Sequence, residues 1–251
     1  MEALDLILLA LWCFAVAVAG GVAGLVLGNL RLPAVLLLAS SPAAGAGANV
    51  AISGASALTS SIAHWRGGRI DWRLFGWMAL PSLLGGIAGG LISGALPRRV
   101  LLALIALVVL YGAVEVMRVG RRGGSDAPPA RHPAASAGAI AFVVGVLGGV
   151  VGLILGTLRL PALVKWMGAT AKDAVGTNAA VGVVVGIGGL IGHLAAGVDW
   201  DLLAVGAAGA VPGAWIGAQL TGRLDERTLL RVIAVILVIA GLSLGVEAAV
   251  G

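Results

Sequence analysis

From Asp5 to Arg31 no charged side chain interrupts the chain, and the same holds from Arg31 to His64 and from Arg73 to Arg98. A helix rises about 1.5 Å per residue and the hydrocarbon core of a bilayer is about 30 Å thick, so some 20 apolar residues cross it. The apolar runs predict spans at about residues 4–28, 43–65, 74–95 and 100–117, then at about 135–156, 174–195, 202–222 and 229–248. Two shorter apolar segments, 32–41 and 160–167, each follow a glycine-rich stretch and open near a proline, which suits a first helical turn. Period-two alternation is missing, which argues against a β-barrel.

The pattern occurs twice. Residues 20–35 read GGVAGLVLGNLRLPAV and residues 148–163 read GGVVGLILGTLRLPAL, a constant offset of 128 from Gly20 to Gly148. The echo continues with small drifts: Asn49 answers Asn178, His64 answers His193, Asp71-Trp72 answers Asp199-Trp200, and Pro81 answers Pro212. Between the halves lies one polar stretch rich in proline and glycine, GRRGGSDAPPARHP. The expected organisation is a first transmembrane repeat over 1–119, a linker over 120–133 and a second repeat over 134–251. The fold class is an all-α polytopic membrane protein, two homologous repeats of four to five helices with broken first helices, eight to ten membrane helices in all. A duplicated set of spans with matching glycine and proline interruptions is a signature of secondary transporters.

Composition agrees. The chain is 60% hydrophobic and 11% charged, against about 25% charged in soluble domains, and its mean hydropathy is +1.08. Its 41 glycines suit helices that must approach closely without a hydrophobic drive between them. The net charge of +5 does not point to nucleic acid, because the arginines sit in short loops where the positive-inside bias accounts for them. Cys13 is the single cysteine, so neither a disulfide framework nor a thiolate metal site is expected. The N-terminal MEALD lacks a basic region, so the first span is expected to stay rather than be cleaved.

Topology turns on the short segments. If they do not cross, each repeat has four spans and the repeats are parallel. If they cross, each has five and the repeats are inverted. The five-span count puts Arg66, Arg69, Arg73, Arg118, Arg121, Arg122, Arg131, Arg223, Arg227 and Arg231 on one side and only Arg98 and Arg99 on the other. The four-span count divides them almost evenly. The positive-inside rule therefore favours five spans, with both termini outside.

The spaced glycines before Pro33 and Pro161, the run Ala-Val-Gly-Thr-Asn at 174–178 and Val-Asp-Trp at 198–200 resemble the sulfite exporter TauE/SafE family over nearly the whole chain. The resemblance implies a membrane exporter of sulfite, organosulfonates or related sulfur anions. The chain departs from the family pattern in two places. Only Gly28 and Gly156 remain of the glycine run before each proline, and Ala-Gly-Ala-Asn stands at 46–49 where Gly-Thr-Ser or Gly-Thr-Asn is typical.

Several polar residues stand out amid apolar neighbours. Arg31 and Arg159 precede the two prolines by two positions, and a guanidinium fork matches an oxyanion. The alternative is an arginine that snorkels to headgroups. Asn49, Thr177 and Asn178, with Gly47 and Gly176 beside them, lie near a helix start, where free N–H groups favour anions. Capping or interhelical bonding would also explain them. Asn29 and Thr157 flank the glycine breaks. These nine residues are the expected substrate contacts, with Asn49, Thr177 and Asn178 within reach of one polar cavity and Arg31 or Arg159 at its mouth. His64 and His193 are candidates for a proton relay, and equally for solvated interfacial histidines. Asp71-Trp72 and Asp199-Trp200 read as helix caps with interfacial anchors.

No metal cluster, nucleotide loop or catalytic constellation stands out, so no cofactor and no enzymatic activity is expected. The expected function is a secondary exporter of small anions in the plasma (inner) membrane, working by alternating access between the repeats. A passive anion channel or a non-transporting assembly protein would fit the same scaffold. Partners are the anion and the lipid bilayer; a homo-oligomer is compatible with the sequence.

Overall fold

The computed structural model describes residues 3–91, 98–122, 133–151, 153–194 and 197–250. Among these the chain is entirely helical apart from turns. Its ten helices are α1 (Ala3–Ala23), α2 (Gly28–Leu38), α3 (Pro42–Arg66), α4 (Trp72–Leu91), α5 (Arg98–Arg122), α6 (Pro133–Val151), α7 (Gly156–Lys165), α8 (Ala171–Leu194), α9 (Trp200–Arg223) and α10 (Glu226–Val250). Among the described residues, five stretches are long and apolar enough to cross a membrane: Ala3–Ala23, Leu102–Arg121, Ala171–Ile191, Trp200–Arg223 and Glu226–Val250. Leu104, Leu107 and Val108 on α5, and Val235, Ile239 and Leu242 on α10, are exposed, the apolar exterior that lipid requires. The polar stretch expected at 120–133 is helical at both ends, since α5 runs to Arg122 and α6 opens at Pro133. Residues 123–132 lie outside the described residues.

Both short segments begin earlier than their prolines suggest. α2 opens at Gly28 and α7 at Gly156, which places Pro33 and Pro161 in the second turn instead of the first. Each glycine before the proline has joined the helix. Each proline, lacking an N–H, leaves the carbonyl four residues back, that of Asn29 or Thr157, without its helical partner.

Glycine sets how the helices pair. A Cβ on Gly209, Gly213 or Gly217 of α9 would strike the carbonyl of Ala10, Phe14 or Val18 of α1, so these helices touch backbone to backbone and run parallel. α4 and α6 pair in the same way, with Gly85 against the Phe142 carbonyl and Gly145 against that of Ser82. Gly213 with Phe14 and Gly85 with Phe142 are residue pairs displaced by the same 128 positions that separate the sequence echoes. α3 and α8 are antiparallel, Gly54 meeting Gly186 while Ala57 meets Gly182 and Val50 meets Gly189. α5 and α10 are antiparallel too, Gly120 lying on Leu230 and Leu110 on Gly241.

These directions collect the arginine-rich loops at one end. There Arg66 lies 5.4 Å from the Trp215 ring centre, Arg69 Nη2 donates to Ala218 O at 3.0 Å, and Lys172 Nζ donates to Gly222 O at 3.3 Å. At the other end the Ser40 N–H donates to Asp199 Oδ2 at 3.2 Å and the Asp199 N–H to Ala44 O at 3.1 Å. The starts of α1 and α5, with Arg99, lie at this second end.

The arginine-rich end is expected to face the cytoplasm. With Cys13 replaced by alanine, a membrane-impermeant maleimide should label Ser40→Cys in intact cells and Arg121→Cys only after permeabilisation. The reverse pattern would show that the orientation is wrong.

Candidate functional site

Two helices break at matching places. α1 stops at Ala23, and the Leu25 N–H bonds back to Gly20 O at 2.8 Å; α6 stops likewise, with the Leu153 N–H on Gly148 O at 3.0 Å. Gly24 turns the chain with φ +61, and a Cβ there would collide with the Val175 backbone of α8. Glycine is required at this position on both counts. The extended chain then runs back toward the middle of the bundle. Val26 from one break and Ile154 from the other pack together on Ala57 of α3.

From there the short helices begin without caps. Leu27 (φ −86, ψ 50) and Leu155 (φ −83, ψ 51) hold the N-cap positions with nearly identical backbone angles, and neither side chain accepts a hydrogen bond from the first turn. A leucine cannot cap, so the first N–H groups of α2 and α7 are left with their partial positive charge. The two breaks line one cavity, with Gly28, Asn29, Leu155 and Thr157 in its wall. The cavity has room for about one water-sized sphere.

A buried arginine holds each break. Arg31 and Arg159 are each 1% exposed, so neither snorkels to headgroups, and neither lines the cavity between the breaks. Arg31 Nε donates to Asn49 Oδ1 at 3.0 Å, and its Nη2 donates to Asn49 O at 3.2 Å and to Ser53 Oγ. Asn49 Nδ2 in turn donates to Gly28 O at 3.3 Å. The second half repeats the motif. Arg159 Nε donates to Asn178 Oδ1 at 2.8 Å, and Asn178 Nδ2 donates to Gly156 O at 3.3 Å. In each case an arginine three residues past the opening glycine returns through an asparagine to that glycine's carbonyl. Gly28 and Gly156 permit the approach, since a Cβ would lie 3.3 Å from Asn49 Nδ2 or 2.8 Å from Asn178 Nδ2.

The second staple differs from the first. Asn178 Nδ2 also donates to Gly24 O of the other break at 2.8 Å, and Arg159 Nη1 donates to Ser82 Oγ of α4 at 3.2 Å. Arg159 Nη2 is buried with no partner.

The remaining candidates scatter. Asn49 and Asn178 belong to separate staples, not to one cavity. Thr177 Oγ1 accepts from the Asp71 N–H at 2.9 Å, fastening α8 to the α3–α4 turn. Gly47 packs beneath Gly197 O and Gly176 beneath Arg69 O. Asn29 Nδ2 donates to Ala240 O of α10 at 3.4 Å. His64 is fully buried; its Nδ1 accepts from Arg69 Nε at 3.1 Å, so Nε2 carries the hydrogen and donates to Gly21 O at 3.3 Å. Both imidazole nitrogens are thereby engaged. His193 is in the final turns of α8, and its side chain lies outside the described residues. Asp199 caps α9, accepting from the Leu202 N–H at 3.3 Å, as its place in the sequence implies.

Sequence reading missed Ser53 and Ser82, which receive the arginines, and Glu115 of α5, which pairs with Arg118 at 2.7 Å and with Lys165 of α7 at 2.8 Å. Ser53 lies four residues after Asn49, so helical spacing alone could have flagged it. Among the described residues no group of three or more His, Cys, Asp or Glu could hold a metal ion.

Residues 9–244 match the sulfite exporter TauE/SafE family. The chain is 25% identical over 256 aligned positions to the probable membrane transporter protein YjnA of Bacillus subtilis (strain 168), a match covering 96% of this chain and 98% of that protein. It is 32% identical over 111 positions to the probable membrane transporter protein YunE of the same organism, covering 42% of this chain and 39% of that protein. No solved structure matches the chain significantly.

Removing Asn178 leaves a guanidinium N–H and the buried Gly24 carbonyl unpartnered, each costing about 1–3 kcal/mol. Asn178→Ala should lower the thermal midpoint in detergent, and by more than Asn49→Ala, whose staple ties no second break. Equal midpoints for both variants and the parent would refute the staple.

Proposed function

The chain belongs to the sulfite exporter TauE/SafE family, and on that premise we propose that it is a secondary exporter of small oxyanions of the sulfite and sulfonate class, in the plasma membrane. The family is one of membrane transporters and not of enzymes, and the chain is a multi-pass membrane protein. Sulfur oxyanions are carried across that membrane at the meeting point of the two broken helices.

One observation carries the reading: two uncapped helix N-termini converge on a cavity walled by Asn29 and Thr157. Each terminus offers N–H donors and roughly half a positive charge, a site for an anion that needs no flexible cation. In a dry interior these fixed dipoles act with little screening. Half-helices aimed at a midplane site recur in transporters built from inverted repeats. The helix directions favour such a duplication here. Exchanging the first five helices with the last five turns the parallel pair α1–α9 into the parallel pair α6–α4. The same exchange maps the antiparallel pairs α3–α8 and α5–α10 onto themselves. Counting each break with its short helix as one crossing gives five crossings per repeat and inverted repeats over 1–119 and 134–251. The arginine-rich end then has the charge excess expected of the cytoplasmic side.

Alternating access follows from rocking one repeat against the other about the breaks. The sequence carries no nucleotide-binding loop, so an ion gradient or the anion's own gradient drives transport. Arg31, Arg159, Asn49 and Asn178 act on the anion through the N-termini they position. Thr177, Gly47 and Gly176 shape the packing around them.

Thr157→Val keeps the side-chain volume and removes the hydroxyl. Radiolabelled sulfite efflux from proteoliposomes should fall about tenfold, equivalent to about 1.4 kcal/mol, with normal membrane insertion. Efflux at the parent rate would place the anion elsewhere.

A further inference from the structure

α3 carries a line of polar side chains that the central cavity does not use. Ser53, Ser56, Ser60 and His64 are spaced by three, four and four residues, so they share one helix face. All four are buried. Ser53 takes the Arg31 bond, and His64 reaches Gly21 O at 3.3 Å. Between these two contacts lies a second cavity, walled by Gly21, Leu25, Arg31, Ser56 and Ser60.

Three features of this cavity call for an anion. Ser60 is 4% exposed, and its Oγ has no hydrogen-bond partner. A buried hydroxyl left in that state is destabilising, and native interiors rarely tolerate it. The Arg31 guanidinium spends Nε and Nη2 on Asn49 and Ser53, which leaves the two Nη1 hydrogens of a group that can only donate. Finally, the ion pairs among the described residues, Glu115 with Arg118 and with Lys165, do not reach Arg31, so its charge is buried without a counter-charge. The cavity, like the central one, has room for about one water-sized sphere; a water molecule would satisfy the donors and leave the charge, whereas an oxyanion, admitted when the cavity widens, does both. The matching face of α8 reads Gly182, Val185, Gly189 and His193 and has no hydroxyl. The feature therefore belongs to one half only.

We propose that Arg31 and Ser60 form a second oxyanion subsite, displaced from the central cavity toward the arginine-rich end of the bundle; Ser56, whose hydroxyl donates to Ile52 O at 2.9 Å, only walls it. It rests on the reading that the chain carries oxyanions, and it is where such an anion pauses between that end and the uncapped helix termini. The layer in which His64 and Thr221 both meet Gly21 O, with Arg69 on His64, closes it off.

Two measurements test it. Purified parent protein and Ser60→Ala are titrated with sulfite and followed by thermal unfolding. Ser60→Ala removes an unpartnered hydroxyl, so it should unfold no earlier than the parent without sulfite, and its half-saturating sulfite concentration should rise about tenfold. Unchanged half-saturation beside a parent that sulfite stabilises overturns the subsite. Separately, Ser60→Cys in a Cys13→Ala background is treated in inverted membrane vesicles with a sulfonate-bearing and a trimethylammonium-bearing methanethiosulfonate. The anionic reagent should react at least about tenfold faster, and sulfate should slow it. Equal rates, a faster cation, or no labelling by either reagent overturns the subsite. If sulfite fails to stabilise the parent, the transport reading for sulfite fails, and the charge preference at Ser60→Cys still decides whether an anion site is there.

Discussion

A helix interrupted inside a bilayer exposes N–H and C=O groups where no water can reach them, and each one left unpaired is costly. This chain interrupts two helices in its interior. The cost is met by polar side chains brought in from the neighbouring long helices. An asparagine on α3 or α8 takes the carbonyl of the opening glycine, and a buried arginine holds the asparagine in place. Arginine suits the task because its fork presents several donors at once in a fixed plane. With each short helix anchored in this way, and leucines at the N-caps, its first N–H groups are left to face the cavity.

The two staples are built alike and tied differently. Arg31, Asn49, Ser53 and Gly28 all lie in α2 and α3, so that staple would travel as one body with the first half. Asn178 holds Gly24 of the opposite break, and Arg159 holds Ser82 on α4, so the second staple crosses between halves. Any motion of one half against the other has to exchange these two bonds. The unpartnered Arg159 Nη2 stands at this crossing. The glycine contacts between α1 and α9 and between α4 and α6 also cross between the halves, backbone against backbone, so any rocking of one half on the other takes place along these seams.

Much of this was legible in the sequence. Charge-free runs located the long helices to within a few residues, and the echo pointed to Arg31 with Arg159 and Asn49 with Asn178 as matched positions. Their partnership was hidden, because arginine and asparagine lie 18 or 19 residues apart across a break and a turn whose path no local pattern encodes. Pro33 and Pro161 misled for a local reason: a proline suits a first turn, yet here the glycines upstream extend each helix backward to the centre. Thr177 is polar and buried like Asn178, but successive residues on a helix point about 100° apart, so it faces the α3–α4 turn instead of the break. The serine line on α3 was readable from its spacing. What gave it meaning was the neighbouring arginine, which the fold supplied.

The central claim is that the uncapped starts of α2 and α7 form one anion site. Selenite has the shape and charge of sulfite and scatters anomalously, so an anomalous difference map from crystals soaked in selenite would test it directly. A peak is expected between the first turns of the two short helices, within hydrogen-bond reach of the backbone N–H groups at Gly28 to Asn29 or Gly156 to Thr157. Selenite found only at the arginine-rich surface, with nothing between those helix starts, would contradict it.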